Sequence, residues 1–209
     1  MTGQLETNER KRRPEARPAE ILAAALDLFT EHGFNATRLE DVASRAGLSK
    51  AAIYLYFKDK NSLLSALVQT TVGHNLDQAK TMVDSHEGPM GPLIRTLLNF
   101  LAARLEDTRM PDLVKLVISE SRAHPSLGRL YLDNVIGAAL PLFQSLIERG
   151  IASGEFRTVD AGLTVKCMVG PMLLGALWKS VFEPIGADPL DIEALAKHDG
   201  DLILRALQP

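Results

Sequence analysis

The chain has 209 residues, a formal charge of −3, and 46% hydrophobic but only 5% aromatic residues. That length allows one or two domains with a substantial core, and an aliphatic composition favours packed helices over a β-sandwich. A single cysteine, Cys167, excludes an intramolecular disulfide and fits a reducing cytoplasm.

The net charge conceals a small asymmetry. Residues 1–60 hold ten Lys/Arg against nine Asp/Glu, and the remainder thirteen against seventeen. The sharpest part is Arg10-Lys11-Arg12-Arg13, in a Pro-containing arm over residues 1–16 that is too polar to fold alone. It either reaches a minor groove or phosphates, or it is a solvated tail. The N-terminus is polar and lacks the apolar stretch of a signal peptide.

Thr37 to Lys60 reads as two short helices joined at Gly47-Leu48-Ser49. Thr37 is placed to cap the first, with Glu40 reaching back three residues later as a capping box. Leu39, Val42, Ala43 and Ala46 recur at helical spacing and predict one buried face. Gly47 supplies the left-handed backbone that ends this helix, Leu48 plugs the gap, and Ser49 caps a second helix from Lys50 to about Tyr56. Ile53 and Phe57 point to the core, leaving Lys50, Ala51, Ala52, Tyr54 and Tyr56 outside. A helix, a glycine turn and a polar-tipped helix form a geometry that places side chains in the major groove of DNA.

A long helix follows over about 61–84, ending before His86-Glu87-Gly88-Pro89. Further helices are predicted over 90–107, 111–123 and 126–153, with Pro111 and Pro125 near helix starts and a kink at Pro141. Asp160 caps a helix over 161–182 that contains Pro171, and a last helix follows Pro189 over 190–207. With a first helix before residue 37 the fold is all-α, about nine helices, with no strand candidate and no repeat. The longest apolar stretch, Met168 to Trp178, is broken by Gly170, Pro171 and Gly175 and falls short of the ~18 residues that cross a bilayer, so the chain reads as soluble. Val165, Met168 and Val169 around Cys167 predict a buried, inert thiol in preference to a redox sensor.

Enzymatic signals are absent from this pattern. The histidines His32, His74, His86, His124 and His198 form no metal-ligand spacing, no Gly-x-Ser-x-Gly elbow occurs, and Gly150-Ile151-Ala152-Ser153-Gly154 lacks the lysine of a phosphate loop. No catalytic residue, metal or cofactor is expected.

Some twenty positions over residues 17–64 carry a family resemblance. Arg17, Ile21, Leu22, Ala24, Ala25, Leu28, Phe29, Gly33, Phe34 and Thr37, followed by Asp41, Ala43, Ala46, Gly47, Ser49, Lys50, Tyr54, Phe57, Lys60 and Leu63, resemble the DNA-binding domain of the TetR-type bacterial transcriptional regulators, in register and without a gap. Ala51 stands where that family often has glycine, Leu55 where many members have an aromatic residue, and Arg38 where threonine or serine is common.

The resemblance implies a helix-turn-helix three-helix domain over 17–62 and a helical ligand-binding and dimerisation domain over 63–209. It implies a sequence-specific repressor, cytoplasmic and without membrane contact, that binds a palindromic operator in double-stranded DNA and is released by an unknown small-molecule effector. Thr37, Arg38, Ser49, Lys50, Ala51, Ala52, Tyr54 and Tyr56 are the expected DNA-facing positions, with Lys60 clamping a phosphate. The last two helices, apolar on more than one face, are the expected homodimer interface. For the effector, Phe100, Met110, Phe143, Met168, Met172 and Trp178 are the apolar candidates and Arg104, Glu120, His124 and Asn134 the polar ones. An all-helical small-molecule or protein-binding module with a vestigial DNA-binding domain is the alternative at this stage.

Overall fold

The computed structural model describes residues 17–107 and 109–209; the basic arm over 1–16 lies outside them. Among the described residues the chain is helical throughout, with no strand, in nine helices. These are α1 (Arg17–His32), α2 (Leu39–Arg45), α3 (Lys50–Ile53), α4 (Lys60–Val68, continued by a π turn Gln69–Gly73 into His74–Asp84), α5 (Met90–Asp107), α6 (Met110–Glu120), α7 (Pro125–Ala152), α8 (Ala161–Ile185) and α9 (Ile192–Leu207).

Local chemistry sets most of the helix ends. Asp59 accepts from Ser62 N at 2.7 Å while Ser62 Oγ accepts from Asp59 N at 3.1 Å, a reciprocal box that starts α4. Asp160 and Asp191 accept from Leu163 N and Ala194 N, both at 2.8 Å, and start α8 and α9. Glu155, from the loop after α7, accepts from Met90 N (2.6 Å) and Gly91 N (2.7 Å) at the start of α5, where a carboxylate is stabilised by the helix dipole. α7 and α8 continue through Pro141 and Pro171, and each also contains a π turn, Leu132–Ile136 and Trp178–Phe182.

The packing has two joined cores. The upper one gathers Ile21, Leu26, Phe29, Val42, Ile53, Leu63 and Leu64 from α1–α4 with Leu113 of α6 and Met172 of α8. The lower one gathers Ile94, Leu97 and Leu98 of α5, Leu146 and Ile147 of α7, Met168 of α8 and Leu207 of α9. α5 lies along α9, α8 lies against α6, α7 and α9, and the π turns of α4 and α7 touch. The division expected at residue 62 falls inside α4, and the upper core spans it.

Two helices, Pro125–Ala152 and Ala161–Ile185, are long and apolar enough by length and composition to cross a bilayer, whereas the sequence reading placed no such span. The difference arises because helix length here is set by runs that pass through proline and glycine instead of stopping at them. Both helices turn one face into the protein core: Phe143, Leu146 and Ile147 from α7, and Val165, Met168, Met172 and Ala176 from α8.

Candidate nucleic-acid interface and ligand cavity

The α2–α3 pair is built from the exit of α1. Gly33 turns the chain at φ +82°, Phe34 folds back onto Phe29 with ring centroids 5.1 Å apart, and the buried Thr37 donates its hydroxyl to Leu28 O (3.2 Å) and Gly33 O (2.9 Å). Thr37 therefore closes the α1–α2 loop and is not the cap of α2. Arg38 is the capping position, and its amide donates to Asp41 Oδ2 at 3.0 Å. The expected box shifts by one residue because the single proton of the buried threonine hydroxyl is shared between the carbonyls of Leu28 and Gly33. Glu40 is left free of capping.

Gly47 takes φ +67°, and Leu48 N donates to Ala43 O at 2.8 Å across the turn. Ser49 Oγ accepts from Ala52 N at 3.2 Å. Ile53 and Phe57 are buried as expected. α3 is a single α-turn; beyond Ile53 the amides of Leu55 and Tyr56 reach back three residues, to Ala52 O and Ile53 O, so it is shorter than the predicted helix to Tyr56. Arg38, Ser49, Lys50, Ala51, Tyr54 and Tyr56 are exposed and Ala52 is half-buried. Leu55, 85% exposed, sits among them as an unpaired apolar side chain.

Glu40 organises this surface. Lys50 Nζ lies 3.0 Å from Glu40 Oε1, and Tyr54 donates its hydroxyl to the same oxygen at 3.1 Å. Glu40's own backbone amide at the start of α2, then Lys50 and Tyr54, hold its carboxyl below the usual range, so it is ionised at neutral pH. The carboxylate in turn raises the pKa of both Lys50 and Tyr54, which keep their protons. Sequence reasoning missed Glu40, whose partners lie ten and fourteen residues away on another helix.

Lys60 does not project toward solvent as a phosphate clamp would. Its ammonium donates to Phe34 O (2.8 Å) and Asn35 O (3.0 Å) and stands 4.8 Å above the Phe34 ring. Burial pushes its pKa down against the opposing pull of Glu120. His124 meets the other edge of Phe34, 5.5 Å between centroids, and lies 3.9 Å from Glu120. Lys60, Phe34, Glu120 and His124 thus join the start of α4 and the α6–α7 turn to the α1–α2 loop. Glu120 and His124, read from sequence as ligand anchors, stand at this joint and not in a cavity.

A cavity of about 310 Å³ lies between α4, α5, α6, α7 and α8, within the size range of small-molecule sites. Phe100, Arg104, Met110, Phe143 and Met172 of the expected set line it. Three others point elsewhere. Met168 is fully buried in the lower core, the exposed Asn134 donates to Leu130 O at 2.8 Å, and Trp178 Nε1 donates to Asp188 O at 2.8 Å. The rest of the lining was missed, notably Tyr131, and Asn75 and Leu76 on the second half of α4, where a single α register read from sequence does not allow for the π turn. Among the described lining residues, Asn75, Arg104 and Tyr131 carry a polar side chain. The Arg104 guanidinium stands 5.5 Å from the centre of the Phe100 ring. Burial pushes the Tyr131 hydroxyl up to about 12, so it is a neutral donor at physiological pH.

On the opposite side of α8, Leu163 (59% exposed), Leu174 and, on α9, Leu202 leave an apolar surface uncovered. Cys167 is exposed on it, contrary to the buried thiol expected. The helix rotates about 100° per residue, so Cys167 shares the face of Leu163, Gly170 and Leu174 and not that of Val165 and Met168.

The sequence matches two family models, described as "Bacterial regulatory proteins, tetR family" over residues 21–67 and "Tetracyclin repressor-like, C-terminal domain" over 93–191. It is 30% identical over 155 residues to the HTH-type transcriptional regulator RutR of Escherichia coli K12, covering 74% of this chain and 71% of that protein. The fold is similar to the regulator PfmR of Thermus thermophilus (TM-score 0.71, 27% identity, 90% of this chain and 99% of that one). It is also similar to FadR of Bacillus subtilis in complex with stearoyl-CoA (TM-score 0.71, 18% identity, 91% and 99%).

Proposed function

This chain belongs to the TetR family of bacterial regulatory proteins and is a DNA-binding transcriptional regulator, and from that premise we propose a cytoplasmic, homodimeric repressor released by an apolar small molecule. Residues 17–62 read DNA through α3 and its flanks, with Arg38, Lys50, Tyr54 and Tyr56 as the contacting side chains and Ala51 and Ala52 against thymine methyls. Residues 63–209 hold the effector and the partner subunit.

The observation that carries this reading is the course of α4. At one end Lys60 is bonded to the carbonyls of the α1–α2 loop; at the other Val72, Asn75, Leu76 and Ala79 form a wall of the cavity. One helix therefore touches both the DNA-reading unit and the space where a ligand fits. A molecule that fills the cavity better in one orientation of α4 than in another shifts the balance between them, and only by its difference in affinity. A tenfold loss of operator affinity needs about 1.4 kcal/mol of that difference. The lining favours a mostly apolar effector that accepts one or two hydrogen bonds, from Tyr131 and Asn75.

The uncovered face of α8 and α9 supports self-association through those two helices, and a two-fold dimer sets its recognition helices ~34–36 Å apart. Dimerisation through this face makes Cys167 react with a thiol reagent many times more slowly than after denaturation, and equal rates would remove α8 from the interface. The function itself is tested by selecting bound sites from genomic DNA with the full chain. A palindrome with half-sites one helical turn apart is expected, as is release by compounds that raise the melting temperature. Absence of any retarded complex at low salt would refute it.

A further inference from the structure

We infer that Glu40 is a base-reading residue, and that with Lys50 it recognises one C·G base pair in each operator half-site. The inference rests on the placement of α3 in the major groove.

Glu40 lies in the first turn of α2, where Asp41 and not Glu40 accepts the Arg38 amide that caps the helix. Its carboxylate is instead fixed from α3: Lys50 Nζ and Tyr54 OH converge on one oxygen, Oε1, at 3.0 and 3.1 Å. Arg38, Glu40, Tyr54 and Lys58 line one open groove on this side of the molecule. The surface thus presents an acceptor-only group and a donor-only group side by side, with a phenol holding the acceptor in place. Between Lys50 and Tyr56 no Asn, Gln, Arg, Asp or Glu is present, so α3 has no acceptor-only group of its own.

The chemistry of base edges selects the target. A carboxylate only accepts, and in the major groove only cytosine N4 and adenine N6 donate. Adenine also presents N7, an acceptor that repels a carboxylate, whereas cytosine offers N4 without a neighbouring acceptor. The guanine paired with that cytosine presents O6 and N7, the acceptors that lysine takes. An adjacent Glu–Lys pair therefore matches the donor-then-acceptor edge of C·G. It mismatches T·A, where thymine O4 faces the carboxylate. The neighbouring ammonium also lessens the repulsion between a carboxylate and the phosphates.

The test is selection of bound sites from a random duplex pool by the full-length native protein, Glu40→Gln and Glu40→Ala, each checked for native thermal unfolding. The native protein is expected to fix one C·G pair per half-site, and changing that pair to T·A should weaken binding about 10- to 100-fold. Glu40→Ala should lose the part of that preference owed to cytosine N4, the C·G-to-T·A penalty falling to what Lys50 alone supplies at the guanine, while other positions keep theirs. Glu40→Gln should move the same position toward A·T, because an amide pairs with adenine N6 and N7. The same preferences in all three proteins, or a uniform rise in affinity for every sequence, would overturn the assignment and leave Glu40 as a surface charge. Enrichment of no sequence by the native protein would overturn the placement of α3 in the groove, and the assignment with it.

Discussion

Replacing Lys60 by methionine keeps the aliphatic stem over Phe34 and removes the ammonium that donates to Phe34 O and Asn35 O at 2.8 and 3.0 Å. A hydrogen bond from a charged donor contributes about 1.5–3 kcal/mol where water cannot replace it. That holds for the part-buried bond to Phe34 O; the bond to Asn35 O is exposed, and water recovers most of it. The contact with the Phe34 ring adds about 0.5 kcal/mol. Relief of the ammonium's own desolvation, which pushes its pKa down, offsets part of the loss. The net destabilisation is about 2 kcal/mol, or about 4–8 °C in Tm for a chain of this length. Thermal unfolding at one fixed protein concentration measures it, since an associating protein melts in a concentration-dependent way. Operator affinity measured against salt supplies the second readout. A lysine spent on backbone carbonyls leaves the slope of log affinity against log salt unchanged, whereas loss of one phosphate contact from each subunit of a dimer lowers it by about 1.8, at roughly 0.9 per contact. An unchanged Tm together with a lower slope would refute the carbonyl-bound role and restore the phosphate clamp.

Two further substitutions test the interior. Asp199 is buried with its Oδ2 lacking a hydrogen-bond partner among the described residues, and burial raises its pKa to about 6 from 3.8. The folded protein holds that proton more tightly than the unfolded chain, so this residue's contribution to stability falls as pH rises from about 4 to about 6. Asp199→Asn should therefore be more stable than the native protein by up to about 3 kcal/mol at pH 7.5 and lose that advantage by pH 4; a gain independent of pH in urea unfolding would contradict the cause given. Gly150 lies under the Phe156 ring, where an added Cβ would overlap the ring carbons. Phe156 is itself buried in the lower core. Gly150→Ala should cost about 1–2 kcal/mol, the overpacking exceeding the roughly 1 kcal/mol gained from helix propensity, and an equal or higher urea midpoint would show that the ring moves freely.

The helices were readable because their signals are local. Apolar residues three and four apart, Gly47 after α2, Pro111 near the start of α6 and Asp160 before α8 act within a turn or two of where they stand. The site was less legible because its decisive contacts join distant parts of the chain. Lys60 looked like a free cation because the carbonyls that take it lie 25 and 26 residues earlier. Glu40 looked like a capping residue because nothing nearby in sequence shows that Thr37 is buried under α1. Cys167 was misplaced for a different reason: adjacent residues on a helix face different ways, so apolar neighbours in sequence do not predict the environment of the residue between them. Met168 and Met172, four apart on one face of α8, differ for another reason: they stand a turn apart along the helix axis, so the first fills the lower core and the second lines the cavity.

The π turns at Gln69–Gly73 in α4 and Leu132–Ile136 in α7 have a consequence for how such sequences are aligned. A π turn loops one residue more than the α ladder requires, so deleting one residue there restores a plain α-helix and leaves both flanking stretches in their native orientation. Deleting a residue anywhere else in either helix swings everything beyond it by about 100°. Residues 60–68 and 74–84 are therefore expected to align as two separate blocks, with a one-residue gap falling between them and not within them.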